Sequence, residues 1–219
     1  MTEKKAKRQL LLDAAAEIFA RKGYHATRVS EIAERAGVAK GTVYEYFRTK
    51  EELFYALLDS WLTQFEHELS EQLTGVADPL QQADIVREAA VMFYCRHAAH
   101  APIFLEFWAH ALRSIDSRFL ERIRRFRQFL LDLGCRLTGE LVARGVFLPV
   151  DIPSVVYLEA GISDGIFLLW VLSGRNFPLE RAYVFRQSVL GLGLLSDAAR
   201  KQLQGKLRQK LQDGFLSEP

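Results

Sequence analysis

Apolar residues recur every three or four positions along nearly the whole chain, and no stretch of any length alternates with period two. The pattern predicts an all-α protein. A first helix is expected from about Lys5 to Lys22, with Leu12, Ala15, Ala16 and Phe19 on one face and Gly23 as its stop. Val29, Ile32, Ala33 and Ala36 then fall at i, i+3, i+4 and i+7, which predicts a short helix from about Arg28 to Ala36. Thr27 is placed to cap it. Gly37 follows at once, where a positive φ would end the helix and turn the chain. Val38 fills the corner, and Lys40 to Phe47 resumes helical spacing with Val43 and Phe47 four apart.

Further along, Thr49-Lys50-Glu51-Glu52 has the capping-box form and opens a helix reaching about Leu73, with Leu53, Leu57, Trp61 and Phe65 along one edge. About 24 residues at 1.5 Å each would make it roughly 36 Å long. Asp78-Pro79 starts a helix to about His97, Pro102 another to about Arg113, and Asp116 or Ser117 a long one to about Arg144. Asp151-Ile152-Pro153 opens a strongly apolar helix up to Leu172, and Pro178 opens one ending near Gly193 to Leu195. A basic amphipathic piece is expected from Asp197 to Gln212.

The second and third helices carry the clearest chemistry. With Val43 and Phe47 turned inward, the outward face of the third is Lys40, Gly41, Thr42, Tyr44, Glu45 and Tyr46. That face is polar and aromatic, with small residues at its N-terminal end that let backbone approach closely. A helix lying in a DNA major groove needs this arrangement of buried spacers behind and base- or phosphate-reaching groups in front. Tyr44 stands one position off the buried stripe, so its phenol is available to a phosphate or a base edge. Exposed amides at Thr27 and Arg28 would suit a phosphate.

The run from Leu11 to Leu53, through LLDAAAEIF, GYHATRVSEIAERAGVAKGTVYEYF and TKEELF, closely resembles the N-terminal domain of tetracycline-repressor (TetR) family transcription regulators. It is nearly gapless over about a fifth of the chain. One departure is Ala39, where the family often has a Ser N-cap. The resemblance implies a helix-turn-helix DNA-binding domain at 1–49 and a helical effector-binding and dimerisation domain at 50–219. It also implies Lys50 as a phosphate contact, a ligand cavity in the helical body, and a homodimer built on the last helices. Phe104, Trp108, Phe126, Tyr157, Phe167 and Trp170 are the candidate pocket wall, which suits an apolar, aromatic or amphipathic effector. For the dimer, Leu158, Gly161, Ile162 and Gly165 on one helix and Phe185, Ser188, Val189 and Leu192 on the next are the candidate interface. Gly161 and Gly165, four apart, make a smooth strip for close approach.

Charge is unevenly spread. Met1 to Lys50 holds eleven Lys and Arg against six Asp and Glu, while the remainder is mildly acidic, within a formal net charge of +2. A basic head on an acidic body suits a polyanion-binding module. The arm Thr2–Arg8 could add phosphate or minor-groove contacts. Cys95 and Cys135 lie far apart, which gives neither a disulfide framework nor a thiolate metal site, and His97, His100 and His110 do not complete one. No nucleophile elbow, phosphate-binding glycine loop or supported carboxylate pair is present, so no enzyme and no cofactor is expected. Without a signal-peptide pattern, the cytoplasm is the expected location. The expected function is a sequence-specific regulator, most simply a repressor released from a palindromic operator by a small ligand. A non-sequence-specific DNA-binding or interaction protein without an effector is the alternative.

Overall fold

The computed structural model describes residues 3–113 and 118–202. Among them the regular structure is helical apart from one isolated bridge between Phe147 and Leu195. The helices are α1 (Glu3–Lys22), α2 (Val29–Arg35), α3 (Lys40–Tyr46), α4 (Lys50–Leu73), α5 (Pro79–Arg96), α6 (Ala101–Arg113), α7 (Arg118–Ala143), α8 (Ile152–Leu172) and α9 (Leu179–Leu194). Contacts divide the chain into two units, Met1–Thr74 with Val86–Gln128, and Gly75–Ile85 with Phe129–Pro219.

In the first unit, α1 packs on α2, α4 and α6, and α2 packs on α3. The expected face of α1 is buried, with Leu12, Ala15, Ala16 and Phe19 each at most 4% exposed, and Leu11 joins it. Two ion pairs tie α1 to α2: Arg35 grips Glu17 through two hydrogen bonds of 2.5 and 2.8 Å, and Lys22 pairs with Glu31. The α4 start follows its sequence signal, since Thr49 Oγ1 accepts the Glu52 amide at 3.0 Å. Glu52 itself reaches one residue further back than a capping box requires, to the Arg48 amide at 2.7 Å. Leu53, Phe54, Leu57, Trp61, Phe65 and Leu69 of α4 are then buried, with Phe54 and Trp61 against Phe107 of α6 and Phe65 against Phe126 of α7. Each such side chain contributes about 1.5–3 kcal/mol on burial.

Three expectations are corrected here. Thr27 does not cap α2: its side chain is buried, and its hydroxyl donates to the Gly23 carbonyl at 2.7 Å. The cap position belongs to Arg28, whose amide donates to Glu31 Oε2 at 2.9 Å. α1 starts at Glu3, and a 3-10 turn, Ala98–His100, intervenes before α6, which opens at Ala101. The expected α7 start at Asp116 or Ser117 lies outside the described residues, as does the 203–212 part of the last amphipathic piece.

A row on α4 that reads as plain surface holds a structural ion pair. Asp59, Thr63 and Glu66 lie at i, i+4 and i+7, and all three bond the buried guanidinium of Arg122 on α7, at 2.7, 3.3 and 2.8–2.9 Å. Burial works against that charge, but the Glu66 and Asp59 carboxylates outweigh it and hold Arg122 firmly protonated.

In the second unit, α8 and α9 pack together. Tyr183 is buried and its hydroxyl donates to the Ser163 carbonyl at 2.8 Å, while Trp170 Nε1 donates to the Phe177 carbonyl at 3.0 Å. Gly134 on α7 allows the approach of α8, because a Cβ there would stand 2.9 Å from Val156 Cγ1. The chain around Gly145 is clasped to the end of α9 by Leu148 N–H to Leu194 O (2.8 Å) and Ser196 N–H to Val146 O (3.0 Å).

Candidate nucleic-acid interface

α3 is only seven residues long, so it is held by its neighbours rather than by itself. Val43 and Phe47 anchor it at 1% and 3% exposure, and the Arg8 guanidinium lies 5.3 Å over the Phe47 ring. Ala39 offers no side-chain cap, as its identity requires. Lys40, Gly41, Tyr44 and Glu45 are exposed, and Thr42 and Tyr46 are half-buried. Lys40 Nζ sits 5.8 Å over the Tyr44 ring, which leaves an ammonium and a phenol side by side on the outward face. No Cβ contact would arise at Gly41, so open space lies over it.

The turn that leads into α2 is held from two sides. Glu106 on α6 accepts the Tyr24 amide through Oε2 at 2.8 Å. Its Oε1 is where a side chain at residue 23 would go: a Cβ on Gly23 would come within 2.8 Å of it, and φ there is +78°. Lys50, at the start of α4, donates to the carbonyls of Tyr24 (2.7 Å), Thr27 (2.9 Å) and His25 (3.2 Å), and lies 4.5 Å over the Tyr24 ring. Burial lowers the Lys50 pKa and Glu106 opposes that shift. All three ammonium protons are therefore engaged, and a phosphate at Lys50 would have to displace one of these carbonyls. Sequence reasoning missed this use of Lys50 and Glu106, because a backbone partner leaves no side-chain signature. Arg28 is exposed at the head of α2, while the Thr27 hydroxyl is turned inward.

The six candidate pocket residues are divided between the two units, Phe104, Trp108 and Phe126 in the first and Tyr157, Phe167 and Trp170 in the second. Phe104 is buried in an aromatic cluster with Trp61, Phe93, His97 and Phe107, and Phe126 meets the same cluster through Phe65. Trp108 stands apart, half-buried under the Arg127 guanidinium. In the other unit, Phe167 and Trp170 pair with each other at 6.1 Å. Tyr157 is 63% exposed on α8 and belongs to no interior wall of this chain. Beside the first cluster, a groove of about 190 Å³ is lined by Phe65, Leu69, Met92 and Phe93 and edged by the Glu68–Arg96 ion pair.

The candidate dimer residues are open to solvent with one exception. Leu158, Gly161 and Gly165 on α8 and Phe185, Ser188, Val189 and Leu192 on α9 are all exposed, and Ile162 is half-buried. A Cβ on either glycine would meet nothing within 4 Å, so the strip is open.

The model of the family described as "Bacterial regulatory proteins, tetR family" matches residues 11–57, the stretch that builds α1 to the start of α4. Residues 11–57 thus carry the TetR-family domain. The chain is 37% identical over 86 residues to the fatty acid metabolism regulator protein of Bacillus subtilis, a match covering 39% of this chain and 44% of that protein. The chain thus spans under half the length of that curated relative. A longer match, 27% identical over 184 residues, is to the HTH-type transcriptional regulator BetI of Cronobacter sakazakii, covering 80% of this chain and 85% of that one. Among solved structures, the transcriptional regulator FadR of Bacillus subtilis in complex with stearoyl-CoA superposes with a TM-score of 0.68 at 25% identity, over 84% of this chain and 96% of that one.

Proposed function

We propose that this TetR-family chain is a ligand-responsive, sequence-specific DNA-binding regulator that acts as a homodimer, with its DNA-binding part at 1–49 and its effector and dimerisation part at 50–219. One observation carries the DNA-binding reading: Lys40 and Tyr44 stand together on the outward face of a helix pinned from behind by Val43 and Phe47. Arg28, Gly41, Thr42 and Tyr46 complete the surface, Lys50 and Thr27 serving it by fixing the turn before α2. The exposed faces of α8 and α9 are read as the dimer interface, with Tyr157 added to them. Two-fold pairing would offer two α3 helices to major grooves roughly 34–36 Å apart or at a related spacing, which is why a palindromic operator is expected. The place of work is the cytoplasm, where the DNA is.

For the effector, the aromatic cluster around Phe104 and Phe126 supports a largely apolar or amphipathic molecule entering by the groove at Phe65 and Phe93. Its 190 Å³ is smaller than the roughly 300–1,000 Å³ of ordinary ligand pockets, so binding would have to widen it. The fatty-acid and stearoyl-CoA connections of the two Bacillus subtilis relatives favour the same ligand class. An effector that prefers the widened form by ~1.4–2.8 kcal/mol shifts operator affinity by ten- to a hundredfold.

The test is selection of bound fragments from random DNA, followed by mobility shifts at physiological salt. Tyr44→Ala and Lys40→Ala should each cost at least tenfold in affinity for the selected palindrome, with thermal unfolding unchanged because both side chains are exposed. Wild-type affinity in both variants refutes the assignment, and equal affinity for bulk DNA supports the non-specific alternative.

A further inference from the structure

A second opening in the first unit adjoins the aromatic cluster, since Phe54 at its wall lies 4.5 Å from Phe107. It is a cavity of about 520 Å³ between the turn that precedes α2, the start of α4, and α6, within the size range of ordinary ligand sites. Tyr24, His25, Phe54, Glu106, His110 and Arg113 line it. The rings form a wall: Tyr24 lies 4.5 Å from Phe54 and 5.2 Å from both His25 and His110, and Phe54 lies 5.6 Å from His110. The Tyr24 ring already serves as a seat for a cation, since the Lys50 ammonium lies 4.5 Å over it. Glu106 is the carboxylate on this wall. One of its oxygens is engaged by the Tyr24 amide, and a carboxylate offers about four acceptor sites, so it can take further donors. His110 is occupied differently, with Nε2 3.0 Å from Glu51 Oε1.

We propose that this cavity binds a protonated amine carried on a flat apolar group, the ammonium on Glu106 and the apolar part against Tyr24 and His110. Ring faces supply cation–π attraction and dispersion, and the carboxylate supplies charge-assisted hydrogen bonds. Lys50 over the Tyr24 ring and exposed Arg113 at the end of α6 already place positive charge here, which disfavours a second ligand cation, so the ligand is a monocation rather than a polyamine. Because Glu106 also holds the Tyr24 amide, an amine on its free oxygen draws on the same carboxylate that seats the turn. Binding here would therefore bear on the seat of α2 through Glu106.

The probe is phenethylammonium, compared with its neutral isostere 2-phenylethanol and with 3-phenylpropionate, followed by amide and ring resonances of Tyr24 and His110 in the whole protein. A probe this small should bind in the roughly millimolar range. Saturable shifts with the amine, at least tenfold weaker for the alcohol and the acid, are expected. Glu106→Gln keeps an acceptor for the Tyr24 amide, so it should leave thermal unfolding in place while weakening the amine at least tenfold. Equal binding of all three probes, unchanged amine binding in the variant, or no saturable shift at either residue would each overturn the site. A second arm, release of the selected DNA by the amine, rests on the DNA-binding reading above. Amine binding in a protein that selects no DNA would sink that reading and leave the site standing.

Discussion

Two long helices of similar length treat their apolar residues in opposite ways. α4 has 24 residues and hides a continuous row from Leu53 to Leu69, while its polar side, Asp59, Thr63 and Glu66, is spent on Arg122. α8 has 21 residues and is the more apolar of the two, yet it buries only Val156, Phe167 and Trp170. Leu158, Leu169 and Leu172 stand 54%, 61% and 71% exposed, and Phe185 on neighbouring α9 reaches 71%. A contiguous apolar face of this kind is a surface that a partner or a membrane would cover. By length and composition α8 is also the one described helix that could cross a membrane. The open glycine strip and the matching exposed face on α9 favour a second copy of the chain as its cover. The lesson is that apolar content sets how much surface must be hidden, and the spacing of a helix does not say by whom.

The contrast breaks most sharply on truncation. Phe54→Ala on α4 should cost about 3–5 kcal/mol in urea unfolding, since Phe54 is fully buried. Phe185→Ala on α9 should change the unfolding of dilute monomer by less than about 0.5 kcal/mol. Comparable losses at the two sites would mean that α9 is covered within its own chain. Arg122 sharpens the account of α4. Arg122→Ala leaves Asp59 and Glu66 facing each other without their cation and should cost about 3 kcal/mol or more. Arg122→Met, which fills the space, should cost clearly less, and chemical denaturation of both variants measures the difference.

A smaller effect is expected from pH. Burial, reinforced by His100 and Arg96, lowers the pKa of His97 to about 4, and His100 is shifted in the same direction by burial. A His with a folded pKa below its unfolded value binds fewer protons when folded. Its contribution is therefore fully present above about pH 6.5 and is lost as pH falls from there toward 4. For His97 the loss is at most about 3 kcal/mol. The urea midpoint of wild type should fall over that window, and His97→Phe should flatten the fall. An equal slope in both would remove His97 from the explanation.

Much of the helix order was legible because the punctuation is local. Thr49 and Glu52 mark the start of α4, Gly37 with φ +65° marks the turn between α2 and α3, and Gly145 with φ +69° follows α7. The outward position of Tyr44 follows from being one residue off the Val43–Phe47 stripe. What could not be read depends on distant partners. Thr27 has the identity of a cap, but Gly23 offers its hydroxyl a carbonyl and Arg28 takes the cap position. Arg122 sits in a run of arginines that looks solvated, and only the polar row on α4 explains its burial. Glu106 acts on a backbone amide more than eighty residues earlier, a contact that leaves no spacing pattern. Tyr157 has the composition of a pocket wall and the exposure of an interface.

The central claim, that the uncovered α8 and α9 faces pair two chains so that both α3 helices reach DNA, is tested most directly by sedimentation of wild type and Gly161→Leu with the selected DNA. Wild type should sediment as a dimer in solution and place an even number of chains on the palindrome. Gly161→Leu, which fills the open strip, should sediment as a folded monomer whose affinity for the palindrome falls to that for a half-site. A wild-type monomer that binds one half-site as tightly as the full palindrome would contradict the account.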